Sequence, residues 1–344
     1  MATWTLYLAA IAAAALISFA LTPLVRALGV RFRWIDEPSS SVKTHKVATP
    51  SMGGIAIYAA FTLTLLLLRY WTQFPTGTLR SLRALLIGGT LVFFLGIVDD
   101  LSKPIGLGFR SKFLVQGLAA ALLILFDIRL HFLTPDYLAM ALTLLWVVGI
   151  TNAFNIIDIM DGLSASQAAI AALCFLMISL PSEELYVNFA SAALAGSALG
   201  FIPWNMSGSR KIFMGDSGSM LLGFMLAGIA LGTKYSEVNN LGVYAPLLIL
   251  LVPMYDTFFV MILRLKQGQS PFLGSRDHFA LRLEKVGYSR SRIVLMAAAA
   301  AGFLGFCSFL VTQLTLGWAL GLYVMILGEI LILSRALAQV TMRD

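Results

Sequence analysis

Eleven runs of apolar residues joined by short connections limit this chain more than any other feature of its sequence. They lie near 4–28, 53–70, 84–98, 113–133, 137–153, 164–180, 187–203, 218–233, 243–263, 293–312 and 316–334. A helix rising about 1.5 Å per residue needs about 20 apolar residues to cross the roughly 30 Å hydrocarbon core of a bilayer. Eleven such helices would take about 220 residues, which fits a chain of 344. Only 12% of the residues are charged and 59% are hydrophobic, whereas a soluble domain carries about 25% charge. So little charge cannot cover a soluble globule, which excludes that class together with disorder, collagen-like fibres and disulfide scaffolds. The predicted fold is all-α: a single transmembrane domain over residues 1–344 with about eleven spanning helices. Cys174 and Cys307 both fall inside apolar runs and show neither disulfide nor zinc spacing. The run at 4–28 is too long for a signal-peptide core and no basic residue precedes it, so it is read as the first span.

The net charge of +7 reads as loop charge in a chain this apolar, and nucleic acid is not an expected partner. When loops alternate between the two membrane faces, nineteen of the 24 Lys and Arg residues fall on one side. The other side holds Arg69, Arg80, Arg83, Arg129 and Lys234. The positive-inside rule then makes the richer face cytoplasmic and puts the N-terminus outside, in a multi-pass protein of the inner (plasma) membrane.

The acids of the basic face occur in short, unusual strings. Asp99-Asp100 closes the third run, with Lys103 following, and adjacent carboxylates attract a divalent cation or act as a base. Asn152, Asn155, Asp158 and Asp161-Gly162 recur every third residue. On an α-helix that spacing drifts by about 60° per step, while a three-residue turn would align it. Phe213-Met-Gly215-Asp216-Ser-Gly218-Ser219 opens the eighth run as a glycine-rich helix start, suited to phosphate or to a magnesium ligand. His45-Lys46 followed by Pro50-Ser-Met-Gly-Gly is a second loop entering a helix with anion-binding character. The longest basic loop carries Arg276-Asp277-His278 and Arg282, and Asp256 lies within the ninth run, where an acid is a functional candidate by default. Carboxylates, amides, phosphate-binding loops and lysines on one face fit magnesium-assisted phosphoryl transfer at a membrane surface.

In order and spacing these strings resemble the polyprenyl-phosphate N-acetylhexosamine-1-phosphate transferases, over roughly residues 40–290. The resemblance implies ten or eleven transmembrane helices around a cytoplasmic active-site cleft. It implies transfer of a sugar-1-phosphate from a UDP-sugar to undecaprenyl or another polyprenyl phosphate, with release of UMP. Magnesium is the implied cofactor, with manganese as a substitute. Asp216 would be the principal metal ligand, joined by Asn155. Asp99, Asp100 and Asp158 would be catalytic, with Lys103 and Lys112 offsetting phosphate charge. Substrate would be held by Lys46, Asn152, Asp161, Gly162, Asn205, Phe213 (stacked on uracil), Arg276, His278 and Arg282.

Pro253-x-x-Asp256, Arg264 and Gly268-x-Ser-Pro-Phe resemble the branch that uses UDP-N-acetylglucosamine and starts cell-envelope glycans such as O-antigen. The alternative substrate within the family is phospho-N-acetylmuramoyl-pentapeptide. The family's late loop often carries two or three histidines, whereas this chain has His278 and a leucine at 281. Direct attack by the lipid phosphate and a covalent aspartyl-phosphate at Asp99 or Asp158 are both compatible with the residues, as is a homodimer. A rival class, an ion-coupled transporter, would place its charges at mid-membrane and often show an inverted repeat; here they sit at loop–helix junctions.

Overall fold

The computed structural model describes residues 3–38, 47–72, 74–103, 105–182, 184–235, 238–271 and 274–342. Each of the eleven apolar runs coincides with a helix, or in one case with a bent pair of helices. In order they are α1 (Thr3–Arg31), α2 (Gly54–Trp71), α3 (Thr76–Leu101), α4 (Phe109–Leu125), α5 (Asp136–Ile157), α6 (Leu163–Ser179), α7 (Leu185–Asn205), α8 (Gly215–Gly232), α9 (Ala245–Ile249), α10 (Leu251–Lys266), α11 (Phe279–Val286), α12 (Arg290–Gln313) and α13 (Leu316–Ala338). A 3₁₀ turn (Asn240–Tyr244) leads into α9, and two short antiparallel strands, β1 (Ile35–Asp36) and β2 (Thr49–Pro50), lie between α1 and α2.

Among the described residues, eight helices are long and apolar enough to cross a membrane, nine when the bent pair is taken as one span. The remaining two apolar runs form α4 and α6, which at 17 residues each fall below that length. The expected ninth span, 243–263, is not one straight helix. Its two parts meet at 71°, because Pro253 has no N–H to give back to the preceding turn and its ring crowds it. The expected late loop also holds a helix of its own, α11.

α7 and α8 form the centre: 83% of the apolar stretch of each is buried, against 11% for α13. α3 and α5 both pack on α8, and α1 runs along α7. Helix alternation then gathers the ends of α3, α5, α7 and α10 and the starts of α4, α6, α8 and α12 at one end of the bundle. The Asp99-Asp100, Asn152–Gly162, Phe213–Ser219 and Pro50–Gly54 strings lie there.

Candidate active site

The end of α3 meets the start of α8, and the contact is electrostatic. A helix N-terminus leaves its first backbone N–H groups without partners. In α8 the N–H groups of Asp216 and Ser217 both donate to the Asp100 carboxylate, each at 3.0 Å. This cap comes from another helix and sets an acid against the positive end of the α8 dipole. Gly215 permits the approach: its φ is +76°, and a Cβ there would strike the Asp100 carboxylate.

Two ammonium groups bridge the acids. Lys112 Nζ, in the first turn of α4, lies 2.7 Å from Asp216 and 2.8 Å from Asp99. Lys103 Nζ lies 2.8 Å from Asp100 and 3.3 Å from Asp216. Asp99 also accepts the N–H of Leu107 at 2.6 Å. Burial pulls the Lys103 ammonium down, but the charges of Asp216 and Asp100 outweigh it and hold the group above its ordinary range, so it stays protonated. Three carboxylates against two ammoniums leave this knot negative.

The asparagine–aspartate string converges, though not as one three-residue helix. Asn152 and Asn155 sit in the last turns of α5, the helix stops at Ile157, and Asp158 and Asp161 follow in a turn that ends at Gly162, with φ +78°. All four polar side chains line one cleft with Lys103, Lys112 and Asp216. Asn152 donates to Gln116 Oε1 at 2.6 Å, and Asn155 donates to Ser219 Oγ at 3.0 Å. Asp158 has no hydrogen-bond partner among the described residues. Burial, then the charge of Asp216, pushes its carboxyl up to about 8, with Lys103 acting the other way.

Asn205 is buried and works on backbone, accepting from Gly162 N at 2.5 Å and donating to the Ile212 carbonyl at 2.9 Å. It ties the Asp158–Gly162 turn to the segment entering α8. Next to it, Lys211 pairs with Asp161 at 2.5 Å and lies 4.7 Å above the Phe213 ring. The Pro50-x-Met-Gly-Gly string docks on the same segment: Phe213 N donates to the Pro50 carbonyl, and Gly53 N and Gly54 N donate to the carbonyls of Phe213 and Met214.

The cleft, about 2020 Å³, also takes in Asn205, Phe213 and His278. Asp99, Asp100 and Gly162 are not on its wall; the first two lie behind it and act through the lysines and α8. Arg276 is exposed and is not on the cleft wall, although its neighbour Ser275 is. Arg282 is buried and spends its donors on Asp277 at 2.6 Å and on the carbonyls of Leu337 at 3.0 Å and Val340 at 2.5 Å. Lys46 lies outside the described residues. Sequence reasoning passed over Gln116 and Lys211; a glutamine inside an apolar run was the only signal for the first. From the charged end the cleft runs past Trp146 of α5 and Met254 and Phe258 of α10 to Tyr235, Tyr244 and Gln313. It is therefore about as long as α8, whose 18 residues rise about 27 Å.

Fold and site together define a multi-pass membrane protein with a lysine–carboxylate site at one end of a cleft as long as a membrane-spanning helix. The chain belongs to glycosyl transferase family 4, whose pattern matches residues 82–234. It is 30% identical over 330 residues to the "Probable undecaprenyl-phosphate N-acetylglucosaminyl 1-phosphate transferase" of Bacillus subtilis, spanning 93% of this chain and 88% of that protein. It is 32% identical over 325 residues to the decaprenyl-phosphate N-acetylglucosaminephosphotransferase of Mycolicibacterium smegmatis, with 85% and 79% covered. The undecaprenyl-phosphate alpha-N-acetylglucosaminyl 1-phosphate transferase of Escherichia coli K12 is 28% identical over 282 residues, with 78% and 74% covered.

Proposed function

We propose that this protein transfers N-acetylglucosamine-1-phosphate from UDP-N-acetylglucosamine to a polyprenyl phosphate and releases UMP, with its site on the cytoplasmic face of the plasma membrane. The observation that carries the reading is the pairing of the Lys103–Lys112–Asp216 knot with a long, largely apolar cleft. A lipid phosphate needs both: ammonium groups at one end to offset its charge, and apolar walls for a prenyl chain. The relatives' names supply the sugar and the acceptor class, and the basic loops on the same side as the knot support a cytoplasmic site.

The donor set suits magnesium. Among the described residues no three His, Cys, Asp or Glu side chains form a closed metal cage. Magnesium commonly takes one or two carboxylates and fills its shell with water and substrate phosphate. Asp216 offers a carboxylate, and Asn155, whose amide N–H is given to Ser219, retains its carbonyl oxygen. Magnesium bound there would neutralise the diphosphate and polarise its oxygens.

The chain's own groups do the rest. Lys103 and Lys112, already charged and fixed by Asp100 and Asp99, bring two anionic substrates together. Asp158, facing the cleft without a partner and holding its proton at neutral pH, donates that hydrogen to a phosphate oxygen as the site's acid. The lipid phosphate, whose second pKa is about 6 by analogy with phosphorylated side chains, is already largely dianionic and needs no base. The lipid phosphate oxygen attacks the β-phosphorus directly and UMP leaves. Asp99 is 2% exposed with both oxygens engaged, by Leu107 N–H and Lys112, which argues against a covalent aspartyl-phosphate there. Incubating the purified protein with undecaprenyl phosphate, magnesium and a panel of UDP-sugars tests the reading. UMP should appear with UDP-N-acetylglucosamine; turnover only with the UDP-muramoyl-pentapeptide, or with no donor, would overturn it.

A further inference from the structure

An acid with no exposed surface on a membrane helix needs partners, and Asp256 of α10 has two at the start of α11. Its Oδ2 lies 2.7 Å from His278 Nδ1, and its Oδ1 accepts the Phe279 N–H at 2.9 Å. The second contact caps α11 from a different helix. A cap alone does not call for an acid, since a neutral acceptor would serve; the other oxygen is used on the imidazole. A carboxylate only accepts, so Nδ1 carries the hydrogen and Nε2 is left for another partner. His278 is 5% exposed and lines the cleft, and its Nε2 is bonded to nothing among the described residues. The Asp256 carboxylate therefore fixes both the ring plane of His278 and which nitrogen the cleft sees.

We propose that Asp256 is a positioning residue for the transfer reaction, holding His278 so that Nε2 is the atom offered to the UDP-sugar. This rests on the function proposed above. Asp256→Asn separates cap from tautomer, because its carbonyl can still accept from Phe279 while its amide N–H₂ faces Nδ1 and drives the imidazole hydrogen to Nε2. Two measurements on the full-length protein test it. The first is the ¹⁵N spectrum of the imidazoles, of which there are 3 in the chain, with His278→Gln assigning the signal. Asp256→Asn should exchange the Nδ1 and Nε2 signatures of His278; an unchanged signature overturns the proposal whether or not the protein turns over. The second is a cycle in kcat for UMP release. Asp256→Asn should lower kcat at least about tenfold with KM for polyprenyl phosphate unchanged, and should add no further loss in a His278→Ala background. The same loss in both backgrounds would reduce Asp256 to a cap and overturn the proposal. No UMP from the wild type would instead refute the proposed function, and the spectrum would still decide the Asp256–His278 coupling.

Discussion

Asp158 and Lys112 show how the same low-dielectric site acts on opposite charges. With divalent cations absent, ionising Asp158 is harder in the folded protein, at a pKa near 8, than in the unfolded chain at 3.8. Its protonated form therefore contributes stability that is complete below about pH 3.8 and is lost as pH rises toward 8. Asp158→Asn should remove that loss: in chelator at about pH 8 the variant should melt above wild type, while releasing UMP at least about 100-fold more slowly. A lower melting temperature together with full activity would remove Asp158 from the site. Lys112 is the reverse case, because Asp99 and Asp216 both rely on its ammonium. Lys112→Met should destabilise by about 3–5 kcal/mol, the effect of leaving a buried charge without its partner, readable as a lowered detergent melting temperature. At this scale the sequence revealed which residues bear charge, because any charge stands out in so apolar a chain. It did not reveal direction. Asp99 and Asp100 are neighbours, yet both stand behind the cleft wall, and Arg282 looked like a substrate ligand until its donors were found on carbonyls 55 and 58 residues away.

Among the elements, the junction of α3 with α8 carries the site, and Gly215 is its narrowest point. Gly215→Ala should both strain a left-handed backbone position, worth about 1–3 kcal/mol, and displace the Asp100 carboxylate from the α8 N–H groups. The expected outcome is a lowered melting temperature and loss of UMP release, with Gly208→Ala, where a Cβ meets nothing, as the unaffected control. Equal behaviour of the two variants would show that the inter-helix cap is dispensable. The apolar runs marked the helices well, since burial in lipid and helix length are both local properties. Two features escaped them. The three-residue spacing of Asn152 to Asp161 is met by a helix end followed by a turn, and the bend at Leu250 became visible only once Pro253 was placed three residues beyond it. The role of Pro50-x-Met-Gly-Gly, a backbone dock for Phe213 and Met214, depends on a partner more than 150 residues away.

The described residues form a bundle with the lysine–carboxylate knot at one end and a cleft running away from it. If that end is cytoplasmic, a cysteine placed at exposed Thr76, the first residue of α3, should react with an impermeant maleimide added to intact cells. One placed at Lys285 of α11 should react only after permeabilisation; the opposite pattern would invert the topology. For the central claim, the most direct measurement is paired product analysis on wild type and Asp216→Asn, the latter first checked for an unchanged elution profile in detergent. The expected result is equimolar UMP and lipid-linked N-acetylglucosamine phosphate from wild type with magnesium, and neither product from Asp216→Asn. Undiminished formation of both products by a folded Asp216→Asn variant would contradict the placement of the reaction at the Lys103–Lys112–Asp216 knot.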